Sequence, residues 1–194
     1  MEPEDLLPSK ELKIKYHWKN ILDFIGDDCE RQGLKETPDR IIKSYKTLFC
    51  GYKRNPAEVF KIFDLEEEYD EMVLLKNVEF YSFCEHHFLP FFGKAHIAYI
   101  PEGPDKVVGV SKLARLLEIY SRRLQIQERI GKQITSDLVK YLNPKGAGCI
   151  LEAQHFCMMA RGVEKQNSIL VTSSLTGCFK NLETRTEFLS LIKL

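Results

Sequence analysis

The chain has 194 residues, 28 Lys+Arg against 28 Asp+Glu, and a hydrophobic fraction of 44%. That length fits one domain with at most a helical annex, and that composition is enough for a core. A formal net charge of zero argues against a non-specific nucleic-acid binder, which carries a basic excess or stripe, so any anionic ligand must be held by local cations.

The start, Met1 to Lys10, carries Glu2, Glu4 and Asp5 and lacks the basic and apolar regions of a signal peptide. No stretch approaches the roughly 18 apolar residues of a membrane span. The cysteines (Cys29, Cys50, Cys84, Cys149, Cys157, Cys178) are irregularly spaced and dilute, unlike a disulfide framework. The expectation is a cytoplasmic protein without membrane or nucleic-acid partners. Cys29, Cys50, Cys149 and Cys178 read as ordinary thiols.

Glu11 to Gln32 reads as a helix through Leu12, Ile14, Trp18, Ile21, Leu22 and Ile25, with Gly33 as its stop. Thr37-Pro38 opens a second helix, Thr as N-cap and Pro at the first helical position, ending near Gly51. Arg40 lies in its first turn, where the dipole mildly disfavours a cation; local sequence favours a solvated arginine there. Asn55 to Asp70 is a transition with an acidic end at Glu66, Glu67, Glu68 and Asp70. The boundary is expected here: residues 1–70 an N-terminal helical segment, residues 71–194 the main domain, one structural unit.

Met72 to Leu75 and Val78 to Phe83 are β-rich, and Gly93 to Ile100 alternates again after Pro90. They read as a long hairpin whose connection is Cys84-Glu85-His86-His87. Pro101 to Asp105 is a turn, Val107-Val108 a short strand, and Ser111 the expected N-cap of a helix Lys112 to Arg122. Lys112 and Arg115 stand beside that cap, where free N–H groups and cations suit a phosphate. A helix from Gln127 to Leu142 has Ile130, Ile134, Leu138 and Leu142 on one face and stops at Asn143-Pro144. Glu128 in its first turn suits the dipole and could also read purine N–H donors.

Gly148 to Arg161 reads as a third strand, whose alternation puts Ala153, His155 and Cys157 on one face. Gly162 to Asn167 is a loop, Ser168 to Ser174 a fourth strand, and Gly177 a bulge or turn. Glu183 to Lys193 closes the chain as a helix with Phe188, Leu189 and Ile192 inward. The order from residue 72, ββααββ, is that of an α+β protein: an antiparallel sheet with the helix pair on one face.

Cys as thiolate and His as neutral imidazole are the side chains that bind zinc well. Cys84-Glu85-His86-His87 and His155-Phe156-Cys157 are each weak signals alone. Together they suggest one site with three ligands: Cys84, one of the two histidines, and Cys157. Three protein ligands leave the fourth position for water, the catalytic arrangement.

The runs Cys84-Glu85-His86-His87, Gly109 to Arg115, Tyr120 to Arg129 and His155 to Gly162 closely resemble, in order, the GTP cyclohydrolase I family, over about residues 34 to 194. The resemblance implies the tunnelling fold, a toroidal homodecamer with active sites between subunits, and a possible feedback regulatory protein. It implies conversion of GTP and water to formate and 7,8-dihydroneopterin triphosphate, the first step toward folate or tetrahydrobiopterin. By motif position it makes Cys84, His87 and Cys157 the Zn2+ ligands, although the ligand set does not separate zinc from iron. It makes His86 and His155 the acid–base histidines, with Ser111 sharing proton transfers. Glu128, with Gln127 close by, would bind guanine; Lys112, Arg115, Arg161 and Arg40 would hold the triphosphate.

Overall fold

The computed structural model describes residues 9–60, 62–63, 69–103 and 107–193. The expected polar start Met1 to Pro8, the acidic residues Glu66 to Glu68 and Pro104-Asp105 lie outside them. The chain divides into two compact units, Met1–Phe49 and Cys50–Leu194.

The first unit is a helix pair. Helix α1 (Lys10–Phe24) is capped by Ser9, whose side chain accepts from the Leu12 N–H. It is shorter than the expected helix to Gln32. Gly26, at φ +87°, takes the left-handed conformation, with Gly26 N–H bonded to Asp23 O at 3.0 Å and Asp27 N–H to Leu22 O at 3.1 Å. This is a Schellman stop that falls well before the expected Gly33. Helix α2 (Thr37–Leu48) carries Pro38 in its first turn but starts at Thr37 itself; Glu36 occupies the cap position without a side-chain bond. The pair is held by Lys15–Asp39 at 2.5 Å, by Lys46–Glu11 at 2.6 Å, and by Trp18 against Tyr45.

The second unit is α+β. A small pair, β1 (Ile62–Phe63) and β4 (Val107–Val108), stands apart from a five-stranded sheet in the order β5-β2-β3-β6-β7. Its long members are β2 (Val73–Cys84), β3 (Pro90–Ile100) and β6 (Gly146–His155), flanked by β7 (Leu170–Leu175) and by the two-residue β5 (Leu124–Gln125). All pairings are antiparallel except β2 with β5. A register shift between Leu75 and Val78 bulges β2, with Asn77 at φ +59°. At Gly93 a Cβ would fall 1.8 Å from the Glu152 carbonyl oxygen across β3 and β6, so only glycine fits there.

Helices α3 (Val110–Ser121) and α4 (Gln127–Leu142) cover one face. Leu113, Leu116, Leu117 and Tyr120 from α3 and Ile130, Ile134, Leu138 and Leu142 from α4 meet Ala95, Ile97 and Tyr99 of β3 and Cys149 and Leu151 of β6. Burying each of the larger aliphatic chains contributes about 1.5–3 kcal/mol. Helix α6 (Leu182–Lys193) packs Phe188 with Phe179, Ala98 and Ile150 in a second cluster, joined by Ile192. Leu189, expected inward, is exposed.

Two further expectations are corrected. Ser111 is not an N-cap: α3 begins one residue before it, with Gly109 at the cap and no side-chain bond. The third strand stops at His155, and Phe156–Met159 turns into a short helix, α5. The reason lies in the partner strand. Phe91 is the residue opposite His155, and the next position, Pro90, has no N–H to extend the ladder.

Candidate active site

The hairpin connection after β2 is a tight turn. Phe88 N–H bonds to Cys84 O at 2.8 Å and Cys84 N–H to Leu89 O at 2.9 Å. Phe88 adopts φ +56°, a conformation that costs free energy in a bulky residue and concentrates at functional sites. The parallel strand β5 seats the turn. Cys84 stands opposite Gln125, and Glu85 N–H bonds to Gln125 O at 3.0 Å.

Where β6 gives way to α5, Cys157 comes round to this turn. One ligand atom each from Cys84, His87 and Cys157 lies within 4.8 Å of the others. Cys84 Sγ is 3.6 Å from His87 Nδ1. A tetrahedral zinc with Zn–S about 2.3 Å and Zn–N about 2.05 Å would separate those two atoms by about 3.6 Å. The donor set therefore fits such an ion. Burial first, and then the neighbouring Cys84, push the Cys157 thiol up, while Arg161 pulls it down. A divalent cation between the sulfurs reverses that balance and favours thiolates.

A cavity of about 270 Å³ opens at the triad, lined by Cys84, His86, His87, Gln125, Ile126, Gln127, Glu128, His155 and Cys157. His86 is exposed, with Nδ1 4.0 Å from Cys84 Sγ. His155 stacks on Phe91, ring centroids 4.6 Å apart and planes 3° apart. Burial holds its imidazole below the usual range, and the Glu128 carboxylate opposes that shift. Gln127 is 1% exposed, and its amide is engaged within the fold.

Ser111, Lys112 and Arg115 do not line this cavity. They stand in the first half of α3, Ser111 about 15 Å and Arg115 about 9 Å along the helix axis from its end at Ser121, where the chain turns into β5. Arg115 borders a separate cleft with Glu79, Tyr81 and Arg122. Arg40 belongs to the first unit, where its guanidinium pairs with Glu36 at 2.6 Å.

Sequence reasoning missed one support of the ligand turn. Arg129, in the first turn of α4, grips Glu85 with both guanidinium nitrogens, Nη2 lying 2.9 Å from Oε1. No spacing rule links residues 44 apart. An exposed pair contributes little to stability, but this one fixes the turn that presents two of the candidate ligands, Cys84 and His87. Arg129→Ala is expected to weaken Zn2+ binding about tenfold in competition with a chromophoric chelator, leaving Tm nearly unchanged. Arg129→Lys should recover part of the loss; an unaltered affinity in Arg129→Ala would show that the grip is incidental.

Comparison with known proteins defines the class of this chain as a hydrolase acting on GTP. The chain belongs to the GTP cyclohydrolase I family, whose model matches residues 14–193. It is 46% identical over 193 residues to GTP cyclohydrolase 1 of Bacteroides fragilis, covering 100% of this chain and 98% of that protein. It is 50% identical over 188 residues to GTP cyclohydrolase 1 of Wolinella succinogenes, covering 96% and 100%. The Chlorobium phaeovibrioides protein of the same name is 52% identical over 174 residues, covering 89% and 77%. Among the described residues no helix is long and apolar enough to cross a membrane.

Proposed function

We propose that the chain is a zinc-dependent GTP cyclohydrolase I, converting GTP and water to formate and 7,8-dihydroneopterin triphosphate on the tunnelling fold. The observation that carries this reading is the triad of Cys84, His87 and Cys157 within 4.8 Å, opening on a cavity that also holds His86, Glu128 and His155. When bound, a zinc ion would lower the pKa of water to about 7 and so supply hydroxide near neutral pH.

The protein residues do the rest. C8 of guanine, between N7 and N9, is a poor electrophile, and protonation of N7 makes it a better one. A positioned histidine at the cavity supplies that proton, an effect of about 10²–10⁴-fold. His86, exposed at the cavity, and His155, held against Phe91, are the two acid–base groups. After C8 leaves as formate, opening and rearrangement of the ribose need further proton transfers, assigned to His155 and Ser111. Glu128 accepts from guanine N1–H and the exocyclic amine. Adenine lacks that donor pair and would leave the carboxylate unpaired.

Lys112, Arg115, Arg161 and Arg40, with Ser111, are assigned to the triphosphate. The remoteness of the α3 start from the cavity supports a site completed by another copy of the chain, as in a toroidal decamer. An isolated protomer is then inactive. The product class fits the folate or tetrahydrobiopterin route, in the cytoplasm.

The test is incubation of Zn2+-loaded protein with GTP, followed by assay of formate and, after oxidation, of fluorescent pterin. Equal amounts of both support the reading; neither product from metal-loaded, assembled protein would overturn it. Glu128→Ala is expected to raise KM for GTP at least tenfold, measured by initial rates. Unchanged GTP affinity in that variant would remove Glu128 from guanine recognition.

A further inference from the structure

We propose that Gln127 is a positioning residue that fixes the neutral ring of His155 as the Nε2–H tautomer, with Nδ1 left without a hydrogen. This rests on the reading of His155 as an acid–base group.

The argument starts from the carboxamide. One terminal atom of Gln127 lies 2.9 Å from the carbonyl oxygen of Leu151, 3.0 Å from that of Leu170 and 3.1 Å from Thr172 Oγ1. Carbonyl oxygens only accept, so the atom facing two of them must be the NH2 group; the reverse orientation would set an oxygen against both. The assignment does not depend on a choice of amide flip, because the surrounding backbone dictates it. The side chain runs from the first residue of α4 to β6 and β7 and is buried. With the nitrogen so placed, the Gln127 oxygen faces His155 Nε2 at 2.8 Å. An amide oxygen has no hydrogen to give, so the ring nitrogen must carry one.

The neutral ring therefore has its hydrogen on Nε2. Among the described residues Nδ1 has no hydrogen-bond partner. The coplanar stack on Phe91, planes 3° apart, holds the ring in that setting. Gln127 is thus a positioning residue that acts through His155.

The test uses the zinc-loaded enzyme with 15N-labelled histidine, studied by solid-state NMR at a pH where imidazole is neutral. Subtracting the spectrum of His155→Ala identifies the His155 signals among those of the five histidines. The expected result is Nε2 at a protonated-nitrogen shift and Nδ1 at an unprotonated one. The opposite pattern, or an even mixture, overturns the inference, and this measurement needs no Gln127 variant to fold. Gln127→Met, similar in length without the acceptor, should then show mixed tautomers. It should lose about 10- to 100-fold in kcat with KM for GTP little changed. Unchanged kcat with mixed tautomers would remove Gln127 from the mechanism. The two readings fail separately: full turnover by His155→Ala would sink the acid–base role, whereas an inactive His155→Ala beside a wild-type Nδ1–H signal would sink only the tautomer.

Discussion

Cys84→Ser and Cys157→Ser are each expected to purify without bound metal and to show GTP turnover at background. The reason is chemical more than steric. Serine differs from cysteine by one atom, but its hydroxyl does not ionise near neutral pH, so it offers a weak neutral donor where a zinc ion would be held by thiolate. The fold should survive. The hydrogen bonds of the turn, Phe88 to Cys84 and Cys84 to Leu89, are made by backbone, and β5 still seats it through Glu85 N–H and Gln125 O. Metal-free wild type and metal-free variants should therefore melt within a few degrees of each other, while added Zn2+ raises Tm only in wild type. Metal content by elemental analysis, formate release and Tm with and without Zn2+ decide the matter. A serine variant that retains stoichiometric metal and full turnover would remove that cysteine from the ligand set.

Much of this arrangement was legible in the chain because local signals and tertiary demands agree. Helix α4 is read with its observed bounds, Gln127 to Leu142, since Ile130, Ile134, Leu138 and Leu142 recur every fourth residue and all four are buried. The antiparallel pairs β2-β3 and β6-β7 follow from alternation and short connections, whereas the pairing of β3 with β6 that joins them has no local signal. Where the reading failed, the deciding interaction was elsewhere in the chain or was one residue long. Ile25 prolongs the apolar pattern of α1, but Gly26 ends the helix by taking a backbone conformation that no periodicity reveals. Nothing between His155 and Arg161 breaks a strand; β6 ends because Pro90, far away in sequence, has no N–H to extend the ladder toward it. The sequence reading nevertheless brought Cys157 beside His155 on one face, and the real turn of α5 carries it to Cys84 by another path. Strand β5 is too short to show a period, yet it sets the ligand turn. The bonds from Gln127 to His155 and from Arg129 to Glu85 join residues whose neighbours in sequence give no hint of them.

His155→Ala is the variant that separates holding the metal from using it. His155 is outside the triad and sits two residues before the candidate ligand Cys157, on β6, with its ring on Phe91 and Nε2 on Gln127. Removing the ring opens a gap beside Phe91 and frees the Gln127 oxygen, but leaves Cys84, His87 and Cys157 untouched. The variant is expected to bind Zn2+ stoichiometrically and to lose about 10²–10⁴-fold in kcat, the range that one positioned acid–base group supplies. KM for GTP should change far less than kcat, because guanine is assigned to Glu128 and the phosphates to basic residues outside this cavity. If GTP is opened at C8 before His155 is needed, formate release will fall less than pterin formation. The two products, equal in wild type, will then part company in the variant. That split would place His155 at the ribose steps and leave His86 with the purine, whereas an equal fall in both would put His155 at the opening of the ring. Loss of the metal would make His155 a ligand and return the site to a closed, four-donor centre. Undiminished production of both compounds would leave the imidazole with no chemical role, whatever it contributes to packing against Phe91.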